Sequence, residues 1–382
     1  MNSNIILETV NNKEKFKQIK EKKEIQSKSF NSPSSTRNTT FVANIDKDDY
    51  SYKYNLISFI NKNNSEFFEK FDLGDYINSG SAGYVYRGVY KGKNMQQVAI
   101  KFLINKKQKE NREEKENEIK NVNHEIAIQK KLHNKNIIEI YAYIKKEQIK
   151  YSVLELVKYG DIEHFLKKLL KRAVLAETFL AYAGKQILDG LNYLHRTKTI
   201  HLDIKPRNIL IDSNLDVKIT DFSVSCSYLE FHPEDTVRFP FVGTGKYIAP
   251  EILSKSHLKI KDAEKIDIYS FGVTLYYLFY GEYPYKLNDV KSKEYDNILK
   301  YIKNEELIFP ETRKMSKLLK DFLTKILEKD YNKRLTIKEA LNHPWIKATQ
   351  IIFDEKENLN NQESFLISLI TDNFPKFNEY IN

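Results

Sequence analysis

The chain has 382 residues, 41% of them hydrophobic, which is enough apolar side chain for a sizeable core and excludes a polypeptide disordered throughout. Its net charge of +10, from 62 basic and 52 acidic residues, is spread along the sequence, the pattern of a solvated surface rather than of a nucleic-acid or membrane-binding face. The single cysteine, Cys226, rules out an intramolecular disulfide, suits a reducing compartment and reads as a partly buried neutral thiol.

No apolar run approaches the roughly 18 residues of a membrane span. Ile5, Ile6 and Leu7 are too few for a signal-peptide core, and Asn2 is not the glycine that N-myristoylation requires. A soluble cytoplasmic protein, with the nucleus left open, is the expectation.

Residues 1–67 are rich in Asn, Lys and Ser and read as mostly disordered, with SPSSTRNTT at 32–40 the least structured part and a short helix near 54–61. This extension is one place for a regulatory partner. The pattern then changes. Residues 72–77 and 84–90 read as strands joined by the turn Asn78-Ser-Gly80-Ser-Ala-Gly83, and Val98-Ala-Ile-Lys101 as a third. The charged stretch 105–121 reads as a helical or flexible connection, followed by a helix over 122–132. Ile126, Ile128 and Leu132 make no clean stripe on that helix.

Strands are expected over 137–144 and 150–156. Asp161 then stands ready to cap a helix over 162–169. A long apolar helix over 176–194 leads to His201-Leu-Asp203-Ile-Lys205-Pro206-Arg207-Asn208-Ile-Leu210, and a strand over 215–220 delivers Asp221-Phe222-Ser223. Downstream lie Gly243-Thr244-Gly-Lys-Tyr-Ile-Ala249-Pro250-Glu251, Asp267-Ile-Tyr-Ser-Phe-Gly-Val273 and Asp330-Tyr-Asn-Lys-Arg334 before His343-Pro-Trp345-Ile346. The tail, 349–382, is net acidic, against a calmodulin-type basic helix. A short helix over 365–370 and Phe374-Pro-Lys-Phe377 are expected to pack on the domain surface; a regulatory partner could also meet the tail.

In this order, over roughly 70–348, the motifs resemble those of the eukaryotic protein kinase superfamily, serine/threonine type. The resemblance implies an α+β bilobed fold. Its domain is expected over 68–348, with a β-rich N-lobe (68–154), a hinge (155–157) and a mainly helical C-lobe (158–348). It implies ATP and Mg2+ as cofactors and protein Ser/Thr hydroxyls as acceptors, with no nucleic acid and no membrane insertion. Gly80 and Gly83 are expected to let the backbone approach the phosphates, and Lys101 to contact them while pairing with Glu125; Glu118 and Glu116 are alternative partners. The backbone of Glu155 to Val157 meets the adenine edge, with Leu154 behind it. Ile77, Val85, Ala99 and Leu210 complete the ATP set, and Asp161 meets the ribose, caps its helix, or does both. Asp203 orients the acceptor hydroxyl and takes its proton, Lys205 steadies the γ-phosphate, and Asn208 and Asp221 are hard oxygen ligands for Mg2+. Thr244 marks the substrate loop. Arg334 is expected to pair with Glu251 in a buried bridge.

Several letters depart from the family pattern. Asn78 replaces a loop glycine, and Gln129 an apolar residue expected near the Phe of the metal turn. Ser223 replaces a glycine at a cost in backbone freedom. Leu202 replaces an arginine that grips an activation phosphate, and Pro240 stands where the phosphosite usually lies. The standard phosphate switch is therefore expected to be absent, with Thr236 as an alternative phosphosite. Arg207 replaces an acidic residue, against selection of an arginine two positions before the acceptor. None of these changes removes a reacting group, so an active kinase is the reading, with a pseudokinase scaffold as its alternative.

Overall fold

In the computed structural model, residues 66–80, 83–92, 95–102, 124–146, 149–170, 174–358 and 362–382 are described. The expected helix near 54–61, the loop tip Ser81–Ala82, and the connection carrying Glu116 and Glu118 lie outside them.

Five strands form one antiparallel sheet in the order β1-β2-β3-β5-β4: β1 Phe71–Gly80, β2 Gly83–Tyr90, β3 Gln96–Phe102, β4 Ile140–Lys146 and β5 Ile149–Glu155. Side chains alternate between the faces of a strand. In β3, Val98, Ile100 and Phe102 enter a core with Phe67, Phe71, Tyr86, Tyr151 and Val153. Ala99 and Lys101 are thereby turned to the opposite face. The expected end of the disordered extension at residue 67 needs correction, because the Phe67 ring lies 5.2 Å from Tyr151 and 5.6 Å from Phe102. Among the described residues a large aromatic side chain opens the N-lobe core.

Helix α1 covers 124–129. The expected strand start at 137 moves to Ile140, because Ile137 instead bridges Ile219. After β5, one α turn at Ile162–His164 runs into a π-helical stretch, Phe165–Leu170, in place of a uniform helix.

The second lobe is built on α2, Glu177–Arg196, and α3, Glu264–Tyr280. Both are buried over most of their length. Leu180, Ala183, Ile187 and Leu191 fill one side of α2, and Ile268, Phe271, Leu275 and Phe279 lie in α3. Gly281 ends α3 at φ 75°, where a left-handed residue closes the last turn. Short strands carry the loops: β6 Thr199–Ile200, β7 Ile209–Ile211, β8 Val217–Ile219, β9 Cys226–Ser227, β10 Thr236–Val237 and β11 Leu258–Lys259. Helices α4 (Tyr295–Asn304) and α5 (Lys317–Ile326) complete the lobe.

The tail forms three helices, α6 Thr349–Asn358, α7 Gln362–Thr371 and α8 Pro375–Ile381. The first two pack on α2 and the third on α6 and α5, as expected of a segment with aromatic anchors. Tyr182 lies 4.9 Å from the Phe353 ring and 5.4 Å from Phe365, while Phe374, Phe377 and Ile381 are buried. Asp372 accepts hydrogen bonds from the Thr178 hydroxyl at 2.7 Å and its backbone N–H at 3.1 Å.

Candidate active site

The segment from His201 to Asn208 hangs between β6 and β7, and its shape is imposed by α3. Asp267, wholly buried, accepts the backbone N–H groups of His201 and Leu202, each at 2.9 Å, and bonds His195 Nε2 at 2.9 Å. Burial by itself raises a carboxyl, but these bonds and the two histidines hold Asp267 below the ordinary carboxylate range. Leu202 sits at φ 67°, a left-handed conformation that costs a leucine roughly 1 kcal/mol, with its side chain buried. Across from it Gly243 takes φ 103°, and a Cβ there would stand 2.5 Å from the Leu202 carbonyl oxygen. Only glycine lets the substrate loop come this close.

His201 is fixed as one tautomer by its neighbours. Its Nδ1 accepts the Asp203 N–H at 3.3 Å, so Nε2 carries the hydrogen and donates to the Thr220 carbonyl at 3.1 Å. The ring meets Phe222 edge-on at 5.2 Å.

Asp203 is then enclosed by three partners. Lys205 Nζ donates to its Oδ2 at 2.6 Å, and Asn208 Nδ2 donates to Oδ2 at 3.1 Å and to the Asp203 carbonyl at 2.8 Å. The Thr244 hydroxyl donates to Oδ1 at 2.8 Å while accepting from Lys205 at 2.7 Å. Because Asn208 spends its amide hydrogens on Asp203, its side-chain oxygen is left as a ligand. The β7–β8 hairpin pairs Ile209 with Ile219, and the Thr220 N–H donates to the Asn208 carbonyl at 3.0 Å, which brings Asp221 beside Asn208. Two hard oxygens with room for water and phosphate are a donor set that fits magnesium. Among the described residues no group of three or more His, Cys, Asp or Glu forms an all-protein metal cage.

Lys101 reaches this point from β3, 2.6 Å from Glu125 of α1 and 3.8 Å from Asp221. Of the alternatives left open by the sequence, Glu125 is the one the structure brings to Lys101. Burial opposes the lysine's charge, yet Glu125 and Asp221 outweigh it and raise its pKa. Asp221 shows the converse: burial pushes its carboxyl up, and Lys101 followed by a hydrogen bond from Ser223 brings it below the usual range. Both groups are therefore charged. Ser223 does not occupy a left-handed conformation here; Asp221 does, at φ 68°. The expected backbone cost of Ser223 is thus not incurred, and its hydroxyl supports the carboxylate.

The other expected ATP residues are placed as follows. Gly80 pairs with Gly83 at the end of the β1–β2 hairpin, and Gly83 takes φ 147°, which its lack of a Cβ permits. Asn78 does not use a positive φ; it lies in β1, paired with Val85. Val85 pairs with Lys101, and Ala99 with Leu154. Ile77 is 41% exposed. Val157 is buried, and Glu155 pairs with Lys218 at 3.1 Å. Asp161 bridges Leu210 and caps the next helix by accepting the His164 N–H at 2.9 Å.

Downstream, Arg334 grips Glu251 with two parallel bonds of 2.6 and 3.0 Å, both side chains almost fully buried, and donates further to the Lys265 and Glu328 carbonyls. The activation segment is tied down by strand pairing and ion pairs. β9 pairs with β6, β10 pairs with β11, and Glu234 bonds Lys259 at 2.9 Å and Lys261 at 2.7 Å. His124 of α1 bonds the Ser225 carbonyl at 2.9 Å. Burial pushes the Cys226 thiol up, in line with the neutral thiol expected.

Asp267 and His195 are the residues that motif reading did not assign. The only signal was an aspartate inside a helix otherwise apolar enough to be buried, a position that demands several donors.

Residues 71–346 match the sequence profile of the family described as protein kinase domain. Death-associated protein kinase 2 of Mus musculus and of Homo sapiens are each 34% identical over 304 residues, 77% of this chain and 77% of theirs. An Aurora kinase of Dictyostelium discoideum is 31% identical over 280 residues, 73% of this chain and 66% of that protein.

Proposed function

The chain belongs to the protein kinase family and is a protein serine/threonine kinase, using ATP and a divalent metal ion as that family does; from this premise we propose that Asp203 is its catalytic base and Mg2+ its metal. The observation that carries the assignment is the enclosure of Asp203 by Lys205, Asn208 and Thr244. Phosphoryl transfer asks the protein mainly for positioning and for charge placed where negative charge develops. Mg2+, when bound, offsets charge on the transferred phosphate. Asn208 and Asp221 hold it by their side-chain oxygens.

Lys101, kept charged by Glu125, orients the phosphates from above. Asp203 Oδ1 receives the hydrogen of the acceptor hydroxyl at the place where it now accepts from Thr244. Lys205 bridges Asp203 and Thr244 and stands ready to follow the charge of the transferred group. The hinge 155–157 and the hydrophobic residues Ile77, Val85, Ala99, Leu154 and Leu210 hold the adenine, and Asp161 serves as helix cap with the ribose as its second partner.

Among the described residues, the enclosure of Asp203 by paired groups favours turnover over a scaffold. Leu202, Ser223 and Asn78 are accommodated, and the charged groups stand paired. No helix among the described residues is long and apolar enough to cross a membrane; a cytoplasmic setting fits the lone cysteine. The test is phosphate transfer from ATP with magnesium to a mixed peptide library, beside an Asp203→Asn control. Equal incorporation by the two proteins would refute the assignment.

A further inference from the structure

The short hairpin that carries both candidate metal ligands cannot hold its own shape. Strands β7 and β8 have three residues each, and a two-stranded ribbon of that length is marginal in water. Asn208 immediately precedes β7, and Asp221 follows β8 by two residues. Their separation is therefore set by whatever fixes β8. Part of that hold comes from the lobe interior. Gln186 of α2 accepts the Val217 N–H at 3.0 Å, and the Asn136 carbonyl accepts the Ile219 N–H at 2.8 Å.

A further anchor lies at the turn. Leu215 is buried there at φ 65°, a left-handed conformation that strains a leucine, and Asp216 follows it at the start of β8. The Asp216 backbone closes the turn. Its carbonyl accepts the Asp212 N–H at 2.9 Å, and its N–H donates to the Asp212 carboxylate at 3.0 Å. Its side chain meets the tail. Oδ1 accepts the Tyr182 hydroxyl at 2.7 Å and Lys356 Nζ at 2.8 Å, and Lys356 also donates to the Tyr182 oxygen.

Lys356 belongs to α6 and lies beyond residue 346, where the matched kinase domain ends. Among the described residues it is the cation that pairs with Asp216. The Phe353 ring fixes α6 on α2, 4.9 Å from Tyr182, so the lysine approaches Asp216 from an anchored helix. Lys356 is 26% and Asp216 36% exposed, which leaves their pair less screened than a fully solvated one. We propose that the tail straps the β7–β8 hairpin, with Lys356 a positioning residue that acts through Asp216 to keep Asn208 and Asp221 at the spacing Mg2+ needs. The inference rests on the metal assignment above and adds a residue outside the kinase domain.

The test uses the full chain with Lys356→Met, Lys356→Arg and Asp216→Asn. Hydrogen exchange of the amides from Val217 to Thr220, read without nucleotide or metal, is expected to quicken roughly threefold in Lys356→Met. The Mg2+ concentration for half-maximal transfer at saturating ATP rises by a similar factor, while kcat at saturating Mg2+ stays within about twofold. Lys356→Arg keeps the charge and restores both readouts. Asp216→Asn removes the same pair from the hairpin side and gives the same shifts. Lys356→Met combined with Asp216→Asn shifts no further than either alone.

Wild-type exchange in Lys356→Met, failure of Lys356→Arg to restore it, or additive shifts in the double variant overturn the proposal. Faster exchange with an unchanged Mg2+ requirement overturns the positioning role and leaves a purely structural contact. An Asp221→Asn protein that binds Mg2+ with ADP as tightly as the wild type, by calorimetry, refutes the metal assignment instead. The two failures are separable.

Discussion

Asp267 Oδ1 accepts the backbone N–H of Leu202 at 2.9 Å across 65 residues of chain. This bond lets a leucine stand in a left-handed conformation beside the Asp203 carboxylate. The oxygen on the other side of the same carboxyl holds His201 and His195. The shape of the loop therefore comes from a buried charge in a distant helix, and not from the letter at 202.

Asp267→Asn is expected to destabilise the protein by about 3 kcal/mol or more, because two backbone donors and a histidine lose a charged acceptor inside the core. The folded carboxyl lies below its ordinary value, so its stabilising contribution is complete at neutral pH and is lost as pH falls through the folded pKa. Denaturant titrations of both proteins should show a gap that is widest at neutral pH and narrows as the medium becomes acidic. A gap independent of pH would contradict this role.

Lys101→Met leaves Glu125 and Asp221 without the cation that now pairs with both. Transfer is expected to fall by roughly 100-fold or more, the scale of removing a preorganised charge from a phosphoryl-transfer site. Initial rates at saturating and limiting ATP will show whether the loss lies in kcat, in KM for ATP, or in both.

The activation segment should work without modification. Thr236 and Ser227 are exposed, and Thr236→Ala with Ser227→Ala is expected to leave the rate within twofold of wild type, as is phosphatase treatment. The neighbouring hydroxyls differ. Ser225 Oγ donates to the His201 carbonyl and Tyr228 to the His195 carbonyl, both from buried positions. Ser225→Ala and Tyr228→Phe should each cost about 1 kcal/mol in a denaturant melt.

Arg334→Met strands the Glu251 carboxylate in the core and should cost about 3–5 kcal/mol. Adding Glu251→Met removes the stranded charge, and the double variant is expected to recover part of the loss. A double-mutant cycle by chemical denaturation measures the recovery; strict additivity would show that the two side chains do not act as a pair.

Phe374 of the tail is fully buried, so Phe374→Ala is expected to destabilise by about 3–5 kcal/mol. The Tyr182 fluorescence environment, against Phe353 and Phe365, should change in the same unfolding transition as the C-lobe. Two separated transitions would show that the tail docks as an independent unit.

Much of this site is legible in the chain because its parts are local. Asp203, Lys205 and Asn208 lie within six residues, so their nearness is announced by spacing, while the shape of the loop that holds them depends on Asp267. Strand alternation likewise announces that Ala99 and Lys101 share a face opposite Ile100. Partners chosen across long separations are less legible. A helix without a clean apolar stripe left Lys101 with three candidate acids, and among the described residues it is the tertiary pairing with Glu125 that the structure shows.

The sequence by itself determined the family and the bilobed fold and pointed to the candidate reacting groups, since each depends on residue type at fixed short spacing. Tertiary structure decided what the atypical letters do. Leu202 is tolerated because Asp267 holds its backbone, and Ser223 because the positive φ falls on Asp221. The reason is physical: backbone torsions and buried hydrogen bonds are settled by which distant groups arrive at the same place, and residue spacing along the chain carries no record of that.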